Sequence, residues 1–517
     1  MSLLRLSNEL VTAIAEIIHP STIVNFALTC HRLYNCASGS LALHRSRQQA
    51  LRAQHDRNPM TIINLLHMAN TSPDLLWYVR VLEFYGGRSS WERWKTYLDY
   101  KRVKDEPKVN LTSSGPRLLS DIDLEILSEN YGLKKFMQDS MERIKNGDDE
   151  PLKTILIASC PYLEKVTWVS HVPDTDGQPY SILCDLASAY QPFPHTLWPP
   201  GLLSLRSISL GARTEFVHPH DNLHPDLADF CRLLLLPSLK SLRINVAGYG
   251  VSDLEYLDTH VPAGSSSVEE ITLDICDFRQ STIVAILQRL RFLRLYRDIY
   301  LGHWMDILGD IQPWFGETLE ELRPEGENHW DLRLYSNVSI LSRFPKLRAF
   351  NIYVGDLIAE DITDEFLPGI AEGEKVQWHE FHAVLPQAAE DIVFGWPRRG
   401  RHNQLEKYNL HKTLFPDFFE YLNKFVQRRG KRNGGCLKMI CLNFLEREKL
   451  VQYFGETEAG EFQRLVDKWS RVWGEAGVQV VTHVSRRGVQ DEVLECQPTA
   501  LDWTSDTEVD SDLDGYA

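Results

Sequence analysis

A short phrase recurs down this chain: a large apolar residue, two further residues, then apolar residues at alternating positions. It reads Leu163-Glu164-Lys165-Val166-Thr167-Trp168, then Leu205-Arg206-Ser207-Ile208-Ser209-Leu210, then Leu239-Lys240-Ser241-Leu242-Arg243-Ile244. It continues as Val268-Glu269-Glu270-Ile271-Thr272-Leu273, Leu290-Arg291-Phe292-Leu293-Arg294-Leu295, Leu319 to Leu322 and Leu347-Arg348-Ala349-Phe350-Asn351-Ile352. An earlier strand-like segment runs from Trp77 to Phe84. From Leu205 to Leu347 the first residues of the phrase lie 34, 29, 22, 29 and 28 residues apart. Three copies share a proline lead-in: Cys160-Pro161-Tyr162-Leu163, Leu236-Pro237-Ser238-Leu239 and Phe344-Pro345-Lys346-Leu347. Proline suits the turn before a strand, where no backbone donor is needed. One such strand-plus-helix unit cannot bury its apolar face alone, whereas stacked units share a continuous core. Stacking also explains how 517 residues hold together, since a single compact core stops growing at roughly 250–300 residues. A non-repetitive α/β domain with a parallel sheet gives the same strand-helix alternation; the proline lead-ins favour repeats.

The phrase, with its lead-in, resembles leucine-rich repeats in a degenerate register, without a repeated Asn at the ladder position. The resemblance implies an α/β solenoid of strand-helix repeats with a parallel sheet, whose ligand surface is usually the concave strand face. The end of the chain fits the same geometry. Leu437 to Phe444 reads as a buried strand. Phe462, Leu465, Val466, Trp469 and Val472 then mark one helix face, Gly477 ends that helix, and Val478 to Thr482 returns as a strand. This β-α-β unit is expected to be parallel and right-handed.

The first forty residues differ in kind. Ser7 is placed to cap a helix beginning at Asn8, with Glu9 in its first turn. Leu10, Ile14, Ile17 and Ile18 fall on one face of it. His19-Pro20 stops that helix. Ser21 is placed to cap a second helix carrying Ile23, Phe26, Ala27 and Cys30 in helical spacing; Leu33, Tyr34 and Ala37 extend the pattern into a third short helix that Gly39 can end. Three short helices bury little surface among themselves, so part of their apolar face must meet another domain or another chain. The order Leu6-Ser7-Asn8-Glu9-Leu10, Ile14, Pro20-Ser21-Thr22-Ile23, then Phe26-Ala27-Leu28-Thr29-Cys30-His31-Arg32-Leu33-Tyr34 resembles the F-box and is similar to F-box proteins of filamentous fungi. It departs from them at Ser7, where the family usually has proline. The resemblance implies docking on a Skp1-type adaptor, and through it on a cullin ligase of the SCF class. Leu6, Leu10, Ile14, Ile18, Ile23, Leu28 and Leu33 would then lie at or beneath the docking surface, and the repeat body would hold a protein target.

Composition narrows the partners. The chain is 43% hydrophobic and 24% charged, as ordinary globular proteins are, with a net charge of −16. That balance argues against general nucleic-acid binding and against an anionic membrane surface. No apolar run reaches the ~18–20 residues of a membrane span. Arg5 and Glu9 interrupt the only apolar stretch at the N-terminus, unlike a signal peptide. Nine cysteines, with no CxxC spacing, read as reduced thiols of a cytoplasmic or nuclear protein.

The expected organisation is an F-box module over 3–40; linker helices, a first strand and a mobile loop over 41–118; a solenoid over 119–357; an irregular insertion over 358–434; a terminal β-α-β repeat over 435–498; and an acidic disordered tail over 499–517. In the tail Asp502, Asp506, Glu508, Asp510, Asp512 and Asp514 meet no Lys or Arg. Residues 1–501 therefore carry −10 of the net charge. Ser505 and Ser511 each precede an acidic residue by three positions and suit acidic-directed kinases. His218, His220 and His224 with Asp221 and Asp226 have ligand chemistry for zinc, but Pro219 and Pro225 make a solvated loop the better reading. Arg398-Arg399-Gly400-Arg401 and Arg428-Arg429-Gly430-Lys431-Arg432 are read as solvated basic loops rather than import signals or contacts for an acidic partner. No nucleophile elbow, zinc-protease, Walker or dinucleotide motif is present. The expectation is a non-catalytic adaptor with no catalytic residue, metal or cofactor; a protein-binding scaffold outside any ubiquitin ligase is the alternative.

Overall fold

The structure is a computed structural model that describes residues 5–58, 60–85, 87–90, 121–130, 133–170, 181–212, 227–247, 253–276, 278–298, 304–324, 338–357, 377–380, 384–395, 410–430, 435–442 and 456–482. Twelve strands form one sheet: β1 (Ala53–His55), β2 (Val81–Phe84), β3 (Lys165–Ser170), β4 (Ser207–Ala212), β5 (Ser241–Ala247), β6 (Glu270–Cys276), β7 (Leu295–Asp298), β8 (Glu321–Pro324), β9 (Ala349–Tyr353), β10 (Asp391–Gly395), β11 (Met439–Leu442) and β12 (Gln479–Val481). Their spatial order is their chain order, and every pairing is parallel. The fold is an α/β solenoid with one strand per repeat.

The recurring phrase explains the core. Its first residue sits two positions before each strand, as in Leu163, Leu205, Leu239, Val268, Leu319 and Leu347, all fully buried. The second residue of the strand points the same way, as in Leu82, Val166, Ile208, Leu242, Ile271 and Leu322. The alternate residues, such as Lys165, Ser241, Arg243 and Glu321, stay half-exposed on the open face of the sheet. The proline lead-ins form tight turns: the Leu163, Leu239 and Leu347 amides donate to the carbonyls of Cys160, Leu236 and Phe344 at 3.1, 3.4 and 3.1 Å.

Hydroxyls and a thiol link several of the repeats to the one before. The residue just before the first phrase position bridges to the preceding repeat. Ser204 donates to the Leu163 carbonyl at 2.9 Å and Ser267 to Leu239 at 2.9 Å. Thr318 donates to Leu293 at 3.2 Å, and the Cys436 thiol to Ala389 at 3.2 Å.

Several elements differ from the sequence reading. In β7 the pairing sets Leu295 beside Glu270, so the buried phrase residue equivalent to Val268 is Leu293, not Leu290. Both leucines are apolar, and only the register separates them. Trp77 and Tyr78 belong to a 3₁₀ turn over Pro73–Tyr78, and only Val81–Phe84 is strand; Pro73 favours a helical first turn. The sheet begins earlier than expected, with β1, inside the stretch read as linker. The segment read as an insertion over 358–434 supplies a full repeat, with β10 paired to β9 and β11 and a helix over Leu410–Arg429. Its phrase is hidden because Ala389 stands in the leucine position and Pro386 lies one place earlier than the other lead-in prolines. In the terminal repeat the helix runs over Glu456–Glu475, and Gly477, at φ 80°, takes the left-handed turn into β12.

Before the solenoid lies a three-helix head: α1 (Asn8–Ile17), α2 (Pro20–Leu28) and α3 (His31–Leu51). Ser7 caps α1 by accepting from the Leu10 amide. His19, not Ser21, caps α2, accepting from the Ser21 amide through Nδ1 with Pro20 in the first helical position. Gly39 does not stop α3, which runs on to Leu51 and leads directly into β1. Its helix-forming neighbours outweigh the roughly 1 kcal/mol that a mid-helix glycine costs.

Candidate docking site

The head has its own small core. Val11, Ala15, Ile23, Ala27, Leu33 and Ala37 are its buried apolar residues, and Ile18, Phe26 and Leu41 pack against that interior from the side. Half of the apolar stripe of α1 is turned away from the interior. The small Val11 and Ala15 face inward, while Leu10 and Ile17 are 54% and 83% exposed. On α2 the same holds for Val24 and Leu28, at 53% and 74%, and on α3 for Tyr34, at 52%. The reason is geometric. Small inward residues let α1 and α2 lie close on α3, and the larger residues then have no helix left to cover them.

Of the sequence-derived docking residues, Leu10 and Leu28 are exposed, Leu6, Ile14 and Ile18 are half-buried, and Ile23 and Leu33 lie in the head's core. Ile17, Val24, Tyr34 and, farther along α3, Leu43 are also exposed and were absent from that group. Their signal was available: Leu10 and Ile17 are seven apart on α1, and Val24 and Leu28 four apart on α2. Few charges stand among them. α2 has none, and α1 has Glu9 and Glu16 alone. Glu9's own backbone amide and the Ser7 hydroxyl hold its carboxyl below the usual value. Arg32 ties the start of α1 to α3, donating from Nε to Asn8 Oδ1 at 2.9 Å and from its terminal nitrogen to the Leu6 carbonyl. The Thr12 hydroxyl adds a bond to the Cys36 carbonyl at 3.3 Å.

The head joins the body at two places and touches it at a third. One is the unbroken path from α3 into β1. The other is the α1–α2 corner, where the His19 ring meets Trp77 edge-on at 3.6 Å and its Nε2 lies 3.5 Å from Asp74. Trp77 in turn packs on Tyr162 at 4.8 Å, under the Arg80 guanidinium at 4.7 Å. Farther along α3, His44 contacts the Tyr78 hydroxyl.

A second polar assembly lies inside the first repeats. Asp56 follows β1, Arg88 follows β2, and Asp149 and Lys153 belong to the start of a helix over Glu150–Ser159 whose ten residues are all buried. Arg88 reaches Asp149 at 2.6 Å and Asp56 at 3.4 Å; Lys153 reaches Asp56 at 2.8 Å and Asp149 at 3.0 Å. Lys153 also stands 5.4 Å from the rings of both Phe84 and Trp168. Burial pushes the Asp56 carboxyl up, but Lys153 and Arg88 outweigh it and hold it below its usual value. Two cations balance two anions, so the cluster ties three repeats together rather than attracting a ligand. Beside it Glu150 accepts from the Ile182 amide at 2.7 Å, from Ser181 at 3.2 Å and from Arg143 at 2.6 Å. Burial nevertheless pushes Glu150 up to about 7.

Among the described residues no group of three or more His, Cys, Asp and Glu side chains is placed to hold a metal ion, and no helix is long and apolar enough to cross a membrane. The histidines at 218–224 with Asp221 and Asp226, the loop over 101–117, the basic run at 398–401, Lys431 and Arg432, and the acidic tail with Ser505 and Ser511 lie outside the described residues. Cys160 and Cys441 are buried thiols; burial raises both, Cys441 to about 12. No protein-family model matches the chain, and no curated protein matches it.

Proposed function

We propose that this chain is an F-box substrate-recognition subunit of an SCF-type ubiquitin ligase. The observation that carries the reading is the head's exterior: Leu10, Ile17, Val24, Leu28 and Tyr34 exposed on three helices that lack the bulk to cover them. The order of residues that resembles the F-box supports it from the sequence side. In this reading α1–α3 dock on a Skp1-type adaptor, which links the chain to a cullin ligase in the cytoplasm or nucleus. The solenoid holds a protein target. The chain itself does no bond chemistry, and no cofactor or metal is required. Its contribution is effective concentration, by keeping target lysines near a charged conjugating enzyme.

The test is co-purification with a Skp1-type adaptor. Wild type is expected to associate, and a Leu10→Asp, Leu28→Asp double variant to lose association while keeping its circular dichroism spectrum. Absence of association by wild type, or undiminished association by the folded variant, overturns the reading. Ser7 supports a second reading, a binding scaffold outside any ubiquitin ligase. It caps α1 through its hydroxyl, a bond that a proline in its place cannot make. A target whose abundance is unchanged on removing residues 1–40 would favour the scaffold.

A further inference from the structure

Along one edge of the sheet, the residue immediately before each of the first eleven strands forms a column, which ends at β12, where Val478 stands. From β1 to β11 it reads Arg52, Arg80, Glu164, Arg206, Lys240, Glu269, Arg294, Glu320, Arg348, Glu390 and Lys438. Every member is charged; Arg52 and Arg80, and Arg206 and Lys240, are like-charged neighbours, and from Lys240 onward the sign alternates without a break. The column is fixed by the backbone. The carbonyl of each member accepts from the amide of the next: Glu269 to Lys240 at 2.8 Å, Arg294 to Glu269 at 2.7 Å, Glu320 to Arg294 at 2.9 Å, Arg348 to Glu320 at 2.9 Å, Glu390 to Arg348 at 2.7 Å and Lys438 to Glu390 at 2.7 Å. The side chains follow. Lys240 meets Glu269 at 2.5 Å, Arg348 meets Glu320 at 3.2 Å and Lys438 meets Glu390 at 2.5 Å; earlier in the column Arg80 meets Glu164 at 3.6 Å. Arg294 contacts Glu270, one residue beyond the column.

We infer that from β5 to β11 this alternating column disfavours wrong neighbours and so helps set the register in which these repeats stack. The buried phrase is nearly the same in every repeat, so the apolar core does not distinguish one neighbouring strand from another. The column does. Leaving out one repeat sets like charge on like: without β8, Arg294 would neighbour Arg348. A shift by one repeat against a second copy of the chain has the same result. These pairs are partly exposed and each adds little stability, so the device acts by penalising wrong neighbours. It is independent of what the head or the open face binds.

The experiment uses the full-length chain and amide hydrogen exchange in β9–β11 at low salt, with β3–β5 as the internal reference. Lys438→Glu creates one like-charged step. The triple variant Arg348→Glu, Glu390→Lys, Lys438→Glu also creates just one, between Glu320 and position 348. Glu390→Lys creates two. Each like-charged step is expected to raise local opening about fivefold, so the single and triple variants should match, and Glu390→Lys should open about twentyfold more than wild type. Glu390→Gln, which removes attraction without adding repulsion, should change opening by about twofold. In ~0.5 M salt the differences should shrink. A triple variant clearly worse than the single, or Glu390→Lys no worse than Glu390→Gln, overturns the inference. If Glu390→Lys yields no folded protein, the comparison of single with triple decides alone.

Discussion

Leu242 and Ile244 in β5 are 1% and 2% exposed, while Ile17 in α1 and Leu28 in α2 are 83% and 74% exposed. In sequence the two pairs look alike, each part of an apolar pattern with a regular period. What separates them is how many copies of the pattern the chain supplies. β5 has β4 on one side and β6 on the other, with helices beneath, so its inward side chains are covered from every direction. α1 and α2 each pack on α3 and on little else of the head. A repeated unit completes its own core, and an unrepeated one leaves its larger apolar residues exposed.

The comparison breaks most severely at the body's buried ions. Lys153→Met should destabilise the chain by about 3–5 kcal/mol, because Asp56 and Asp149 stay buried while one of the two cations that hold them is lost. Leu242→Ala should cost about 2–5 kcal/mol through its cavity. Leu28→Ala, the same substitution on the head, should cost under about 0.5 kcal/mol yet weaken association with a Skp1-type adaptor. Urea unfolding and co-purification on the same three proteins read both axes. A Leu28→Ala penalty as large as that of Leu242→Ala would erase the distinction between the two regions.

The body also contains a titrating group with no counterpart on the head. Glu150 is raised from 4.5 to about 7 by burial, so the folded chain binds a proton there that the unfolded chain releases. That contribution is full below pH ~4.5 and is lost as pH rises through about 7. Glu150→Gln should remove this falling component, making the variant relatively more stable above neutral pH than near pH 5, by about 1–3 kcal/mol. Unfolding midpoints of variant and wild type between pH 5 and 8 test it. A constant difference across that range would mean that Glu150 does not titrate there.

The solenoid was legible in the sequence because its signal is redundant: one phrase is written many times, and a degenerate copy is carried by its neighbours. It failed where a copy lost its marks, as in β10 with Ala389 and a shifted Pro386, and in β7, where Leu290 and Leu293 compete for one position. The helices of the head were legible, but not which face is inward. Periodicity marks an apolar stripe; whether that stripe or the small residues beside it meet the partner helix depends on how closely the helices approach. The buried ions escaped because charged residues are read as surface by default, and only the fold brings Asp56, Arg88 and Lys153 together from three separate repeats.

The smallest effect separates folding from docking on the head. Gly39 lies mid-way along α3, on the exposed side, and a Cβ built there meets no other atom within 4 Å. Gly39→Ala should therefore stabilise α3 by about 0.5–1 kcal/mol through the unfolded chain's lost freedom alone. Because nothing on the head's exposed apolar set moves, association with a Skp1-type adaptor should be unchanged within about twofold. Hydrogen exchange in α3 measures the first quantity and titration of the adaptor the second. If binding strengthened in step with helix stability, the head would fold as it docks, and the exposed leucines would belong to a surface assembled on the partner rather than one prepared in advance.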